Sequence, residues 1–137
     1  MSLAVRFAVV LALAAYWLAM AYGTHMNSDV AFELETAVPD KLQHYAAYAG
    51  LAFLMASCRA CYVPVTPRAL CGLLAIAAGY GVVDELTQLL VGRDASVEDW
   101  VADVIGGCTG LAVFYVAGFV ARLLRARRGV RQGSVRI

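Results

Sequence analysis

Two adjacent carboxylates, Asp84 and Glu85, stand inside a long apolar run, with Gln88 one turn further on. An aspartate at the centre of a membrane helix costs about 2.5 to 3.5 kcal/mol even on lenient insertion scales, so such groups face partners or a cavity and mark candidate sites. Neighbouring residues on a helix point about 100° apart, and one partner can hardly satisfy both acids. Two further clusters carry related chemistry. Asp40, Lys41, Gln43, His44 and Tyr48 open the preceding apolar run, where Asp40, His44 and Tyr48 share a helical face at i, i+4 and i+8. Arg93, Asp94, Ser96, Glu98, Asp99 and Asp103 open the following run, where Asp99 and Asp103 share a face at i, i+4.

These residue types support three kinds of work. His44, Asp84 and Glu85 are candidate catalytic groups, with one carboxylate as general base and His44 as its acid partner. Asp84, Glu85, Asp99 and Asp103 are hard oxygen donors suited to a divalent metal, the only cofactor suggested. Lys41, Tyr48, Gln88, Arg93 and Ser96 are candidate ligand-binding residues, the two cations for an anionic group. Acids outnumber Lys41, Arg93 and His44, so a bound cation or protonated carboxyls must settle the cluster. Simpler readings stand beside these. Asp40 and Ser96 occupy N-cap places, and Ser96 with Asp99 resembles a capping box. Lys41 and Arg93 can snorkel to the interface, and His44 and Tyr48 can simply bond across helices. The chain has no nucleophile motif, phosphate loop or HExxH, so a reading as an enzyme rests on the constellation alone.

The elements that position these groups follow from composition. Hydrophobic residues make up 62% of 137 and charged residues 15%, with mean hydropathy +0.72, which excludes an ordinary soluble domain of about half apolar residues. Runs 3–23, 42–62, 69–91 and 100–123 are each long enough to cross about 30 Å of hydrocarbon. The expected fold is all-α: a polytopic, four-helix transmembrane bundle, one domain over 1–137 ending in a basic tail at 124–137. For residues 1–21 a cleaved signal peptide is the alternative, since Arg6 precedes an apolar stretch ending in Ala19-Met20-Ala21. Orientation follows the basic residues. Arg6, Arg59, Arg68, Arg122, Arg125, Arg127, Arg128, Arg131 and Arg136 fall on one side of the four spans, Lys41 and Arg93 on the other. Both termini are therefore expected in the cytoplasm. His44, Tyr48, Asp84, Glu85, Asp99 and Asp103 then lie within roughly 12 Å of the outer surface, aimed from three helices into one layer.

Gly106 and Gly110 have GxxxG spacing and, with Gly107, allow close helix approach, either within the monomer or in a homo-oligomer. Cys58 and Cys61 form a lone C-x-x-C at the inner end of the second span; Cys71 and Cys108 read as small packing residues. The six Arg from Arg122 to Arg136 suit anionic membrane lipids, and no motif supports nucleic-acid binding.

The ordered set Asp40-Lys41 with His44 and Tyr48, Asp84-Glu85 with Gln88, then Arg93, Ser96, Asp99-Trp100, Asp103 and Gly106 resembles the VanZ-like family of membrane proteins, which includes a teicoplanin-resistance factor. The resemblance covers residues 39–110, about half the chain. It implies a multi-pass protein of the bacterial cell (inner) membrane, acting in the envelope and linked to glycopeptide resistance. Asp103 departs from the Asn frequent at that place, and a second carboxylate there favours a cation. The expected function is an outward-facing site that binds or processes the polar or phosphorylated headgroup of a lipid-linked envelope ligand, either with metal assistance or with a carboxylate as general base and His44 as its acid partner. The competing class is a noncatalytic accessory protein acting through helix contacts with a partner; a transporter is third.

The nine-to-two division of basic residues is tested by single-cysteine labelling of intact cells after the native thiols are replaced. A cysteine near Glu33 should be modified and one near Gln132 spared; the reverse pattern would invert the site.

Overall fold

A computed structural model describes residues 1–25 and 38–133, with side chains described through 127. Four long helices account for nearly all of it: α1 (Leu3–Thr24), α2 (Asp40–Ala60), α3 (Pro67–Gln88) and α4 (Val97–Gly133). No strand occurs among the described residues. The loop around Glu33 lies outside them, as does Arg136; for Arg128, Arg131 and Gln132 only the helical backbone is described.

Local chemistry sets the helix ends. The Ser2 hydroxyl accepts from the Val5 amide at 3.4 Å to start α1, and Thr66 accepts from Ala69 at 3.2 Å with Pro67 opening α3. Ser96 accepts from the Asp99 amide at 3.3 Å, so its capping role holds. Asp40 does not cap α2. Pro39 occupies that position without a side-chain bond, and Asp40 falls in the first turn, where a negative charge suits the helix dipole. α3 runs out through a 3-10 turn, Leu89–Val91, onto Gly92 at φ 78°, a left-handed conformation that favours glycine. The Arg93 amide then donates back to the Gln88 carbonyl at 3.2 Å.

The expectation of four spans is corrected here: α1, α3 and α4 are long and apolar enough to cross a membrane, and α2 is not. The reason is its sequence. Gln43, His44, Tyr45 and Tyr48 occupy the first turns of α2, and its inner face is buried against its neighbours, with His44, Tyr48, Leu51, Ala52 and Ala56 all enclosed. The outer surface of the bundle is apolar, with Phe7, Leu18, Ile76, Leu86, Ile105 and Phe119 among the exposed side chains. Cys71 and Cys108 belong to that exposed surface rather than to the core, correcting their reading as packing residues. Cys58 and Cys61 are free thiols; Cys61 donates to the Ser57 carbonyl at 3.2 Å. α4 continues as one helix to Gly133, so much of the expected tail is helical.

The helices run up and down, leaving one end acidic and the other basic. At the basic end the Arg6 guanidinium lies over the Tyr62 ring at 5.4 Å, and Arg122 lines a cavity with Val63. α2 is the centre, and its most extensive contact is with α4. A Cβ on Gly106 would meet the Tyr45 carbonyl, and one on Gly110 the Ala49 carbonyl. Of the two uses the sequence offered for this glycine face, packing within the monomer is the one found, against α2. On the opposite side Tyr16 lies over Gly50 and donates to the Ala47 carbonyl at 3.0 Å, while Trp17 meets Tyr80 edge-on at 5.1 Å.

Gly106→Ala and Gly110→Ala should each lower the melting temperature in detergent, with an overpacking cost of about 1 to 3 kcal/mol because backbone carbonyls cannot step aside. Gly79→Ala, where an added Cβ meets nothing within 4 Å, should be neutral or stabilise by up to about 1 kcal/mol. Equal effects at the glycine seam and at Gly79 would contradict this packing.

Candidate functional site

The close α2–α4 seam brings the polar residues of these two helices into contact. His44 on α2 and Asp103 on α4 meet at 2.9 Å, Nδ1 to Oδ1, with His44 6% exposed and Asp103 1%. α3 adds Glu85, whose Oε1 lies 3.8 Å from His44 Nδ1 and whose Oε2 accepts from the Ser96 amide at 2.7 Å. The other side of the imidazole, Nε2, faces Asp40 at 4.0 Å. Asp40 in turn accepts from Arg93 at 3.3 Å, an ion pair made by the reversal at Gly92. His44 is therefore surrounded by three carboxylates, one from each of three helices.

Asp84 is buried beside this group but is held differently. Its Oδ1 accepts from the Thr24 hydroxyl of α1 at 2.9 Å, so α1 also reaches the polar layer. Thr24 falls just past the apolar run 3–23, and its one signal in the sequence is a hydroxyl at the polar end of that run. Gly81 was also missed. A Cβ there would sit 2.9 Å from Asp103 Oδ2 and 3.5 Å from the Tyr48 hydroxyl, so the glycine keeps open the space into which both atoms point. Trp100 closes this side by donating to the Ala78 carbonyl at 3.0 Å.

Six buried side-chain atoms in this region have no hydrogen-bond partner among the described residues: Tyr48 Oη, Asp84 Oδ2, Glu85 Oε1, Gln88 Nε2, Asp99 Oδ1 and Asp103 Oδ2. Native proteins leave few such groups, and each one carries a cost of about 1 to 3 kcal/mol. Four of the six are carboxylate oxygens, so the layer as built attracts cations and hydrogen-bond donors. The two basic residues expected to bind an anion are already engaged. Arg93 pairs with Asp40, and Lys41 with Glu98 in an exposed pair at the rim. Among the described residues, two groups have the spacing to hold a metal ion: His44, Glu85 and Asp103, and Asp40, His44 and Asp99. Of the acids expected to share one ion, Asp84 and Asp99 fall outside the first group, and His44 enters both.

A cavity of about 330 Å³ opens beside the layer between α3 and α4, lined by Val82, Leu86, Val97 and Trp100 with Glu85 and Ser96 at its polar edge. Glu85 therefore belongs both to the polar cluster and to an apolar recess on the lipid-facing side.

Thr24→Val should cost about 1 to 3 kcal/mol by leaving Asp84 Oδ1 buried without its donor, read as a lower melting temperature in detergent. Thr24→Ser, which keeps the hydroxyl, should restore most of the loss. A Thr24→Val protein as stable as the wild type would remove α1 from the site.

The family model described as VanZ/LLP1 matches residues 7–120. No curated protein and no solved structure matches the chain. The matched stretch takes in every residue of the polar layer, from Thr24 on α1 to Asp103 on α4, together with the glycine seam that aligns them; the chain belongs to the VanZ/LLP1 family.

Proposed function

We propose that this VanZ/LLP1-family membrane protein uses its polar layer, facing outward from the bacterial inner membrane, to bind or process the polar or phosphorylated headgroup of a lipid-linked envelope ligand. The observation that carries this reading is the set of six buried polar atoms on α2, α3 and α4 that have no partner among the described residues. Groups of that kind are stabilised by an occupant that supplies positive charge and donors. The recess beside Glu85 and Ser96 supports a ligand with a hydrocarbon part, since it joins the layer to the apolar flank of the bundle.

Orientation belongs to the same proposal. Arg6 and Arg122 gather at the end away from the layer, and cytoplasmic ends retain such residues. α2 then crosses the bilayer inside the bundle, its polar face sheltered by α3 and α4, so that both termini are cytoplasmic. At the rim, Arg93 and Lys41 can exchange Asp40 and Glu98 for an incoming anion. With no metal ion on its ring, His44 would serve as the proton donor and acceptor, and Asp103 would fix its ring. Asp84 and Glu85 supply the negative field that His44 and a bound cation require. The family link to teicoplanin resistance makes protection of the envelope against glycopeptides the expected physiological readout.

Asp84→Asn and Glu85→Gln nearly preserve volume and remove the charge. Each should give a monodisperse, membrane-inserted protein that has lost its envelope phenotype, for example protection against a lipoglycopeptide antibiotic. Wild-type phenotype in both at matched expression would refute the site and leave a noncatalytic accessory role.

A further inference from the structure

We infer that His44, Glu85 and Asp103 together bind one first-row divalent metal ion. The headgroup role of that ion rests on the function proposed above; the metal site itself stands on geometry alone. The nearest nitrogen–oxygen distances are 2.9 Å from His44 Nδ1 to Asp103 Oδ1 and 3.8 Å to Glu85 Oε1, and one ligand atom from each residue lies within 4.8 Å of the others. Bonds of about 2.0 to 2.2 Å to nitrogen and oxygen place neighbouring ligand atoms of one ion about 3 to 3.5 Å apart. The observed separations bracket that spacing.

A second observation is independent of this clustering. Glu85 Oε1 and Asp103 Oδ2 are buried and have no hydrogen-bond partner among the described residues, on side chains of residues only 5% and 1% exposed. The remaining oxygen of Glu85 is fixed by the Ser96 amide, which leaves Oε1 as the atom turned toward His44. Asp103 Oδ2 points at the space that Gly81 leaves open. Around these ligands lies an outer layer of the kind that orients metal-binding imidazoles. Asp40 faces His44 Nε2 and is itself held by Arg93.

The competing group, Asp40 with His44 and Asp99, is the poorer site because Asp40 is already committed to an ion pair. One imidazole with two carboxylates suits zinc, manganese, iron or cobalt better than magnesium or calcium, which favour all-oxygen sites. A divalent ion also resolves the conflict between an acidic layer and an anionic headgroup. It neutralises Glu85 and Asp103 and offers its open positions to the phosphate.

The test uses the full-length protein in detergent, stripped with a chelator and without lipid ligand. Titration with Zn²⁺ followed by metal analysis should show one tightly held ion per chain, and Co²⁺ should give the visible bands of mixed nitrogen and oxygen coordination. His44→Gln and Asp103→Asn should each weaken binding by about tenfold or more and make the melting temperature insensitive to the chelator. Asp94→Asn, which removes an exposed acid outside the site, should bind as the wild type does. A wild-type protein that retains no ion, or His44→Gln and Asp103→Asn proteins that bind as tightly as it does, would overturn the proposal. Because no ligand is present, that failure would leave the antibiotic-protection test of Asp84 and Glu85 intact.

Discussion

Carboxylates removed from water require positive charge or donors close by, and this constraint organises the bundle. Asp84, Glu85 and Asp103 are each at most 5% exposed, in a molecule whose outer surface is built for hydrocarbon. An isolated charge in such a place shifts its protonation or finds a partner. Here each acid meets a group from a different helix: Thr24 of α1 for Asp84, the Ser96 amide at the start of α4 for Glu85, and His44 of α2 for Asp103. The polar layer therefore ties all four helices together at one end, where purely apolar contacts between membrane helices would have little net drive.

The distance between His44 and Asp103 is set one turn away, by glycine. Gly106 follows Asp103 by three residues, and Tyr45 is the neighbour of His44. The approach of Gly106 to the Tyr45 carbonyl, repeated at Gly110 and Ala49, brings the two backbones close enough for a short side chain to span the gap. A bulkier residue at position 106 would separate α2 from α4 and stretch the 2.9 Å contact. Packing and chemistry are thus one feature of this seam. Ala52 and Ala56, wholly buried on α2, continue it toward the basic end.

Much of this was legible in the sequence. The i, i+4 placement of Asp40, His44 and Tyr48 and the depth of Asp84 and Glu85 indicated a shared layer, and His44 does meet Asp103 and Glu85 there. Pairing was less legible, because it depends on helix rotation and loop geometry. Lys41 and Arg93 read as anion ligands, yet the turn at Gly92 directs Arg93 onto Asp40, and Lys41 reaches Glu98 across the rim. Thr24 escaped notice because its partner is sixty residues away. The count of apolar spans failed at α2 for a related reason. Hydropathy scores a helix as though lipid surrounded it, whereas one face of α2 is buried in protein.

That failure bears on how the site comes to exist. A helix beginning Asp40-Lys41-Leu42-Gln43-His44 gains little from entering lipid alone. In the proposed crossing, its polar groups would become tolerable in the membrane once Asp103, Glu85 and Arg93 are in place beside them. Burial of α2 and assembly of the candidate site are on this argument the same event. Any group that neutralises the layer, whether a proton on His44 or a cation shared with Glu85 and Asp103, stabilises the bundle by the free energy with which it binds the assembled state over the separated helices. Folding and ligand chemistry are coupled through His44, the residue on which the carboxylates of three helices converge.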